Sequence, residues 1–323
     1  MGLAGLACAL ALWSGACRFH QQVRIAVIPQ TEGSYWDPAH AGAEVAAART
    51  GAFIYWNSPA REDDVEAQIA LVERIVDDKY QGLVLAPDQA LSLISPVRRA
   101  LAHGIPTVII GTPLPIPAGG NLSYILNDDA EGGRMAAQRV AYLLNGRGTV
   151  VLLGINPDVT GIMIRARAFE EFLANYYPGI RIAEKRMGSF SIPHEQQEAE
   201  DTLRTNPNLD VIVALTSTTF FGTLSSLKNT PKNHAVKIIG FDIARLYPLE
   251  QRAEIDSVIQ SDTRTMGLQA VELIHAKRLG QPAPDVVYLH PKLITRDNLN
   301  TPEVRQMLSL DWKLGHWSWN STQ

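Results

Sequence analysis

The chain of 323 residues is short of cysteine: Cys8 and Cys17 are its only two, and none follows position 17. Everything downstream is therefore without a disulfide framework or a cysteine-based metal site. Charge of either sign is also in small excess, with 29 Lys and Arg against 33 Asp and Glu. That balance lacks the basic footprint that nucleic-acid binding requires. No apolar run reaches the roughly 20 residues needed to span a bilayer. The eight His are scattered without HxxxH or HExxH spacing, and neither a GxSxG elbow nor a GxxxxGK[ST] loop occurs. Gly132-Gly133 lacks the remaining glycines of a dinucleotide fingerprint. Asp63-Asp64 and Asp128-Asp129 read as first-turn residues that complement a helix dipole rather than as a catalytic pair. No cofactor, no metal and no enzymatic activity are expected; glycoside hydrolysis is the enzyme reading set aside.

What is present is the composition of a folded chain, 46% hydrophobic and 19% charged, long enough for two cores. Residues 1–17 are expected to be a signal peptide, because Met1 to Ala16 are small or apolar and carry no charge. Ser14-Gly15-Ala16-Cys17 resembles the end of a bacterial lipoprotein signal, which makes Cys17 the lipidation candidate. Membrane contact is expected through that anchor alone.

From Arg24 onward, short apolar runs alternate with segments of helical period. RIAVI at 24–28, GLVLA at 82–86 and TVII at 107–110 are buried-strand runs. Between them, Val65, Ile69, Val72 and Ile75 fall on one helical face. After NDDAEGG the alternation starts again, with strands expected near 149–153, 211–215, 238–241 and 255–259. Such alternation predicts an α/β fold with parallel sheets covered on both faces. Two successive halves predict two Rossmann-like lobes hinged around a central ligand cleft, with ligand groups at the carboxyl ends of strands. The expected first lobe is 23–127 plus 261–284, the second 128–260 plus 285–299. Residues 300–323 form a C-terminal extension with Trp312, Trp317 and Trp319.

Candidate binding residues follow from that placement. Tyr35 and Trp36 lie in the loop after the first strand, where aromatic faces can stack on the C–H faces of a sugar ring. The alternative for Trp36 is a staple of the first helix to the core. Asp242 and Gln260 each end a strand, and Arg165 starts a helix after the loop 156–161. Polar groups converging on one cleft predict binding of a hydroxyl-rich solute.

The stretches RIAVIPQTEGSYW, HAGAEVAAARTGAFIYW, AREDDVEAQIALVERIV, QGLVLAP, GIPTVII, NDDAEGG, KIIGFD and KLITRDNLNTPEV occur in an order that carries a likeness. Over roughly residues 23–305 the chain resembles the periplasmic sugar-binding proteins of ABC transporters, the ribose-binding-like group of the type I periplasmic binding fold. LacI-type repressors share the fold but carry a DNA-binding headpiece that has no room before Arg24. The resemblance implies a monomer that captures a sugar and hands it to an ABC permease and its ATPase. A sensor that presents its ligand state to a chemoreceptor or histidine kinase is the alternative. It also implies that Tyr35 and Trp36 pack on the sugar ring, that Arg165 hydrogen-bonds ring oxygen and hydroxyls, and that Phe190 adds a second-lobe aromatic. Asp242 and Gln260 are implied hydroxyl partners. The sequence departs from the group at Gly111-Thr112 and near Thr216-Ser217, where an Asp-Arg-like pair and an Asn-acid pair are usual, and at Gly33-Ser34. Thr112 and Thr216 thus become the candidate ligand groups at two of those positions; the departures point away from ribose, toward a larger or less polar sugar derivative or lost affinity, with a non-sugar ligand as the alternative.

Overall fold

The computed structural model describes residues 22–61, 64–229, 236–243, 249 and 252–311. Cys17, Trp312, Trp317 and Trp319, and most of a helix expected near 246–251, lie outside the described residues. Runs of Val, Ile and Leu suit strands buried on both faces, and the chain uses them so. In the first lobe, β1 (Arg24–Ile28), β2 (Phe53–Trp56), β3 (Gly82–Leu85), β4 (Thr107–Gly111), β5 (Leu122–Asn127) and β11 (Val286–Leu289) form one sheet. Its order is β11-β5-β4-β3-β1-β2, and every pairing is parallel. Helices α1 (Asp37–Thr50) and α8 (Thr263–Arg278) cover one face, over Val27, Val84 and Ile110. Helices α2 (Val65–Asp77) and α3 (Ile94–Ala102) cover the other, over Ile28, Leu83 and Ile109. The expected face of α2 is the one used: Val72 and Ile75 are fully buried, and Val65 and Ile69 pack at the edge.

The second lobe repeats the plan. Strands β6 (Gly148–Ile155), β7 (Ile180–Met187), β8 (Val211–Ala214), β9 (Lys237–Phe241), β10 (Ile255–Gln260) and β12 (Lys292–Ile294) lie in the order β12-β10-β9-β8-β6-β7. Among them, β12 runs antiparallel to β10. Helices α4 (Asp129–Leu143) and α5 (Thr160–Tyr176) pack on one face. Helices α6 (Ile192–Thr205), α7 (Ser217–Asn229) and the short α9 (Pro302–Met307) pack on the other.

The chain passes between lobes at three places, after β5, after β10 and after β11. The first two passages end in aspartates that cap the next helix, Asp128 accepting the Glu131 N–H and Asp262 that of Thr265, both at 2.9 Å. The third is tied to the first, since Asp128 donates its N–H to the Leu289 carbonyl at 2.9 Å.

One expected boundary is corrected. Residues 286–289 do not belong with the second lobe: β11 pairs in register with β5, Val286 opposite Tyr124, so the sheet edge of the first lobe holds it. The described start of the C-terminal extension packs on the second lobe, with Thr301 capping α9 and Val304 buried in its core.

Candidate functional site

Each sheet reverses its strand order beside its first strand, between β1 and β3 and again between β6 and β8. In open α/β sheets that switch point is where the loops at the carboxyl ends part and leave a crevice. The two crevices face each other and enclose a cavity of about 400 Å³, within the range of small-molecule sites, roughly 300–1,000 Å³.

Seven of the eight sequence-predicted side chains line it: Tyr35, Trp36 and Thr112 from the first lobe, and Arg165, Phe190, Thr216 and Asp242 from the second. Gln260 is not among the lining residues. It is buried at the end of β10, where the chain turns into the passage between lobes, and its Nε2 donates to the Ser261 carbonyl at 3.3 Å. Trp36 takes part in both the core and the cavity wall. The ring, only 3% exposed, belongs to the first-lobe core and also walls the cavity, with Tyr35 edge-on to it at 4.9 Å.

The electrostatic centre is Arg165. Its Nε donates to Asp129 Oδ1 at 2.6 Å, and its Nη1 meets Asp242 Oδ2 at 2.7 Å and the Leu215 carbonyl at 3.2 Å. The guanidinium also lies over the Phe241 ring, 4.7 Å from its centroid. Burial by itself lowers the pKa of this group, but Asp242, Asp129 and Tyr35 together outweigh it and hold the guanidinium above its ordinary value. Asp129 is left the worse served. Burial pushes its carboxyl upward, Arg165 pulls it back, and Asp242 and Asp128 add repulsion, so the net direction is up. The Tyr35 hydroxyl is raised well above the ordinary phenol value, first by burial and then by Asp242, against the pull of Arg165. A first-lobe phenol that feels second-lobe charges marks the lobes as facing each other closely.

Sequence reasoning missed Asp129 as a cavity residue. It was read as a first-turn helix acid, which it is, yet its side chain also turns onto Arg165. The glycines around it explain how. A Cβ at Gly133 would stand 2.2 Å from the Arg165 carbonyl oxygen, and one at Gly161 would stand 2.5 Å from Asp129 Oδ2. Those absences let α4 and α5 close on each other and seat the pair. Asp88 and Asn127, at the ends of β3 and β5, also line the cavity; their position at strand ends was the available signal. Among the described residues, no group of three or more His, Cys, Asp or Glu is placed to hold a metal ion.

Residues 25–288 match the model of the periplasmic binding protein domain. The chain belongs to that family. The xylitol-binding protein of Mycolicibacterium smegmatis is 26% identical over 221 residues, 68% of this chain and 61% of that protein, less than two thirds of its length. The D-allose-binding periplasmic protein of Escherichia coli is 22% identical over 267 residues, 80% of this chain and 85% of that protein. A solute-binding protein of an ABC transporter from Agrobacterium vitis, solved with α-D-tagatopyranose, superposes with a TM-score of 0.81 at 23% identity, covering 89% of this chain and 99% of that one. These likenesses agree with the two-lobed fold, and the named relatives are solute-binding proteins. Among the described residues, no helix is long and apolar enough to cross a membrane.

Proposed function

We propose that the protein is an extracytoplasmic solute receptor that captures a neutral sugar or polyol between its lobes and delivers it to an ABC importer. The observation that carries this is the cavity itself. Tyr35, Trp36 and Phe190 supply ring faces, and Asp129, Asp242 and Thr216 supply hydroxyl partners, within one space between two hinged lobes. Rings stack on the C–H faces of a pyranose while fixed polar groups take its hydroxyls. A solute touching both lobes favours their closed arrangement by its differential affinity for it, and a permease with its ATPase would read that arrangement. In this reading the protein acts as a monomer, works without a cofactor and performs no chemistry on the sugar. Export follows from residues 1–17, with Cys17 as the lipid anchor that keeps the receptor at the membrane face.

A thermal-shift panel of aldoses, ketoses, polyols and their phosphates tests the reading. A solute that binds only the folded state must raise the melting temperature. A rise with one class of neutral sugar or polyol is the expected result. No rise with any member would overturn it.

A further inference from the structure

Beneath the second-lobe wall of the cavity lies a buried carboxylate that touches no solute. Glu195 sits in the first turn of α6, 1% exposed. Its Oε1 accepts the Ser189 N–H at 2.7 Å, and its Oε2 accepts the Thr219 hydroxyl at 2.9 Å. Thr219 Oγ1 is in turn 2.8 Å from Thr216 Oγ1. Thr216 stands directly before α7 and accepts the Thr219 N–H at 3.1 Å, the geometry of a helix cap. The node is crowded: a Cβ at Gly154, whose φ is +86°, would stand 2.2 Å from Thr219 Oγ1, and one at Gly222 would stand 2.6 Å from the Glu195 Cβ.

With Glu195 ionised, the proton count in this chain has one solution. A carboxylate only accepts, and a threonine hydroxyl has a single proton. Thr219 spends that proton on Glu195, so in the Thr219–Thr216 contact it must accept, and Thr216 must donate. Thr216 Oγ1 has then given its proton and received the Thr219 N–H. What it has left for the cavity is a lone pair.

We propose that Glu195 is a specificity-determining residue: through Thr219 it fixes Thr216 as an acceptor, so the solute group held there must be a donor. This rests on the sugar-receptor reading for the identity of the solute, but the proton order itself does not. The same carboxylate pins the Gly188–Ser189 peptide, one residue before Phe190, whose φ of +55° a bulky side chain adopts only under constraint. One buried acid thus sets both an aromatic wall and the polarity of a hydroxyl contact. In Glu195→Gln the amide oxygen stays on the Ser189 N–H and the amide nitrogen donates to Thr219. Thr219 then donates to Thr216, and the Thr216 proton is released toward the solute.

Two measurements decide it. Neutron diffraction from ligand-free crystals exchanged into deuterium oxide should place one deuteron on Thr216 Oγ1 pointing at Thr219, and one on Thr219 Oγ1 pointing at Glu195. A deuteron on the Glu195 carboxyl, or on Thr219 pointing at Thr216, would overturn the proposal. Calorimetry with D-allose and its monodeoxy and monodeoxyfluoro analogues reads the consequence. At the position where deoxygenation weakens binding in the native protein but not in Thr216→Val, fluorine should do no better than hydrogen, because it cannot donate. In Glu195→Gln the fluoro analogue should regain about tenfold, one hydrogen bond's worth. Fluorine outbinding hydrogen in the native protein, or a Thr216→Val variant that leaves the whole series unchanged, would refute it. Absence of D-allose binding would leave the sugar reading to the thermal-shift panel and the proton order to the neutron result.

Discussion

Asp242 is held from two sides: Oδ1 accepts the Ser261 N–H at 2.9 Å, and Oδ2 meets Arg165 Nη1 at 2.7 Å. Ser261 is the first residue after β10, where the chain leaves the second lobe for the first. A cavity carboxylate is thereby joined to a passage between lobes, from a residue whose φ is +55°. Asp242→Ala would leave a buried guanidinium with one carboxylate in place of two and a passage N–H without its acceptor. Removing one partner of a buried ion pair costs about 3–5 kcal/mol. The expected result is a loss of that order in urea unfolding, together with a fall in sugar affinity. Native-like stability in the variant would show that the bridge does not hold the fold.

Asp129 predicts a pH dependence of the opposite sense to that of most paired acids. Its folded pKa is raised, by burial first, despite Arg165. The protonated form is therefore the one the fold favours. The stability it contributes is complete below the ordinary aspartate value of about 3.9 and is lost as pH climbs through the raised one. Asp129→Asn has no such titration, while Arg165 keeps Asp242. Measured by urea unfolding from pH 4 upward, the variant should gain on the native protein as pH rises until Asp129 is ionised in the folded state, and keep a constant lead beyond that point. A difference that is flat throughout, or falls, would contradict the assignment.

Trp36 serves the core and the cavity with one ring, and two substitutions can separate those uses. Trp36→Ala should lose stability by about 3–5 kcal/mol, as for other large core truncations. Trp36→Phe keeps much of the packing but shortens the face offered to a sugar. Its melting temperature should fall much less, while affinity drops by on the order of 1 kcal/mol. Equal affinity in Trp36→Phe and native protein would mean that the ring is only a staple.

Much of the fold was legible because strands such as RIAVI and GLVL are continuous apolar runs, and α2 places its apolar residues on one face. Tyr35, Trp36, Asp242 and Arg165 were legible from their places after strands or at a helix start, whereas Thr112, Phe190 and Thr216 came only through the family resemblance. Gln260 broke the strand-end rule, because the end of β10 is the start of a passage between lobes rather than a wall of the cavity. The placement of β11 was hidden for a different reason. A four-residue edge strand, half exposed, has no pattern that tells one sheet from the other, and only pairing with β5 decides it. Gly132-Gly133 was read as a failed phosphate loop, whereas Gly133 acts by close approach, which needs the facing helix to be seen. Glu195 carried no signal at all, since a glutamate in the first turn of a helix is ordinarily a surface residue.

The charges around the cavity predict what it refuses. Among the described residues, Asp88, Asp129 and Asp242 line it against one guanidinium, that of Arg165, which already holds two of those carboxylates. Among the described residues a phosphate or carboxylate on the solute would meet no free cation, and it would be repelled at short range, where the surroundings screen weakly. In a thermal-shift comparison, free hexoses should raise the melting temperature, while their 6-phosphates and uronic acids should raise it little or not at all. Added salt should not rescue the anions, because the carboxylates of Asp129 and Asp242 are buried and ions in bulk solvent act on them only faintly. Asp129→Asn, which lowers the negative charge by one while leaving the Arg165–Asp242 pair, should narrow the gap between a hexose and its 6-phosphate. A phosphorylated sugar that stabilises the native protein as strongly as the free one would mean that the acidic wall does not set the selectivity.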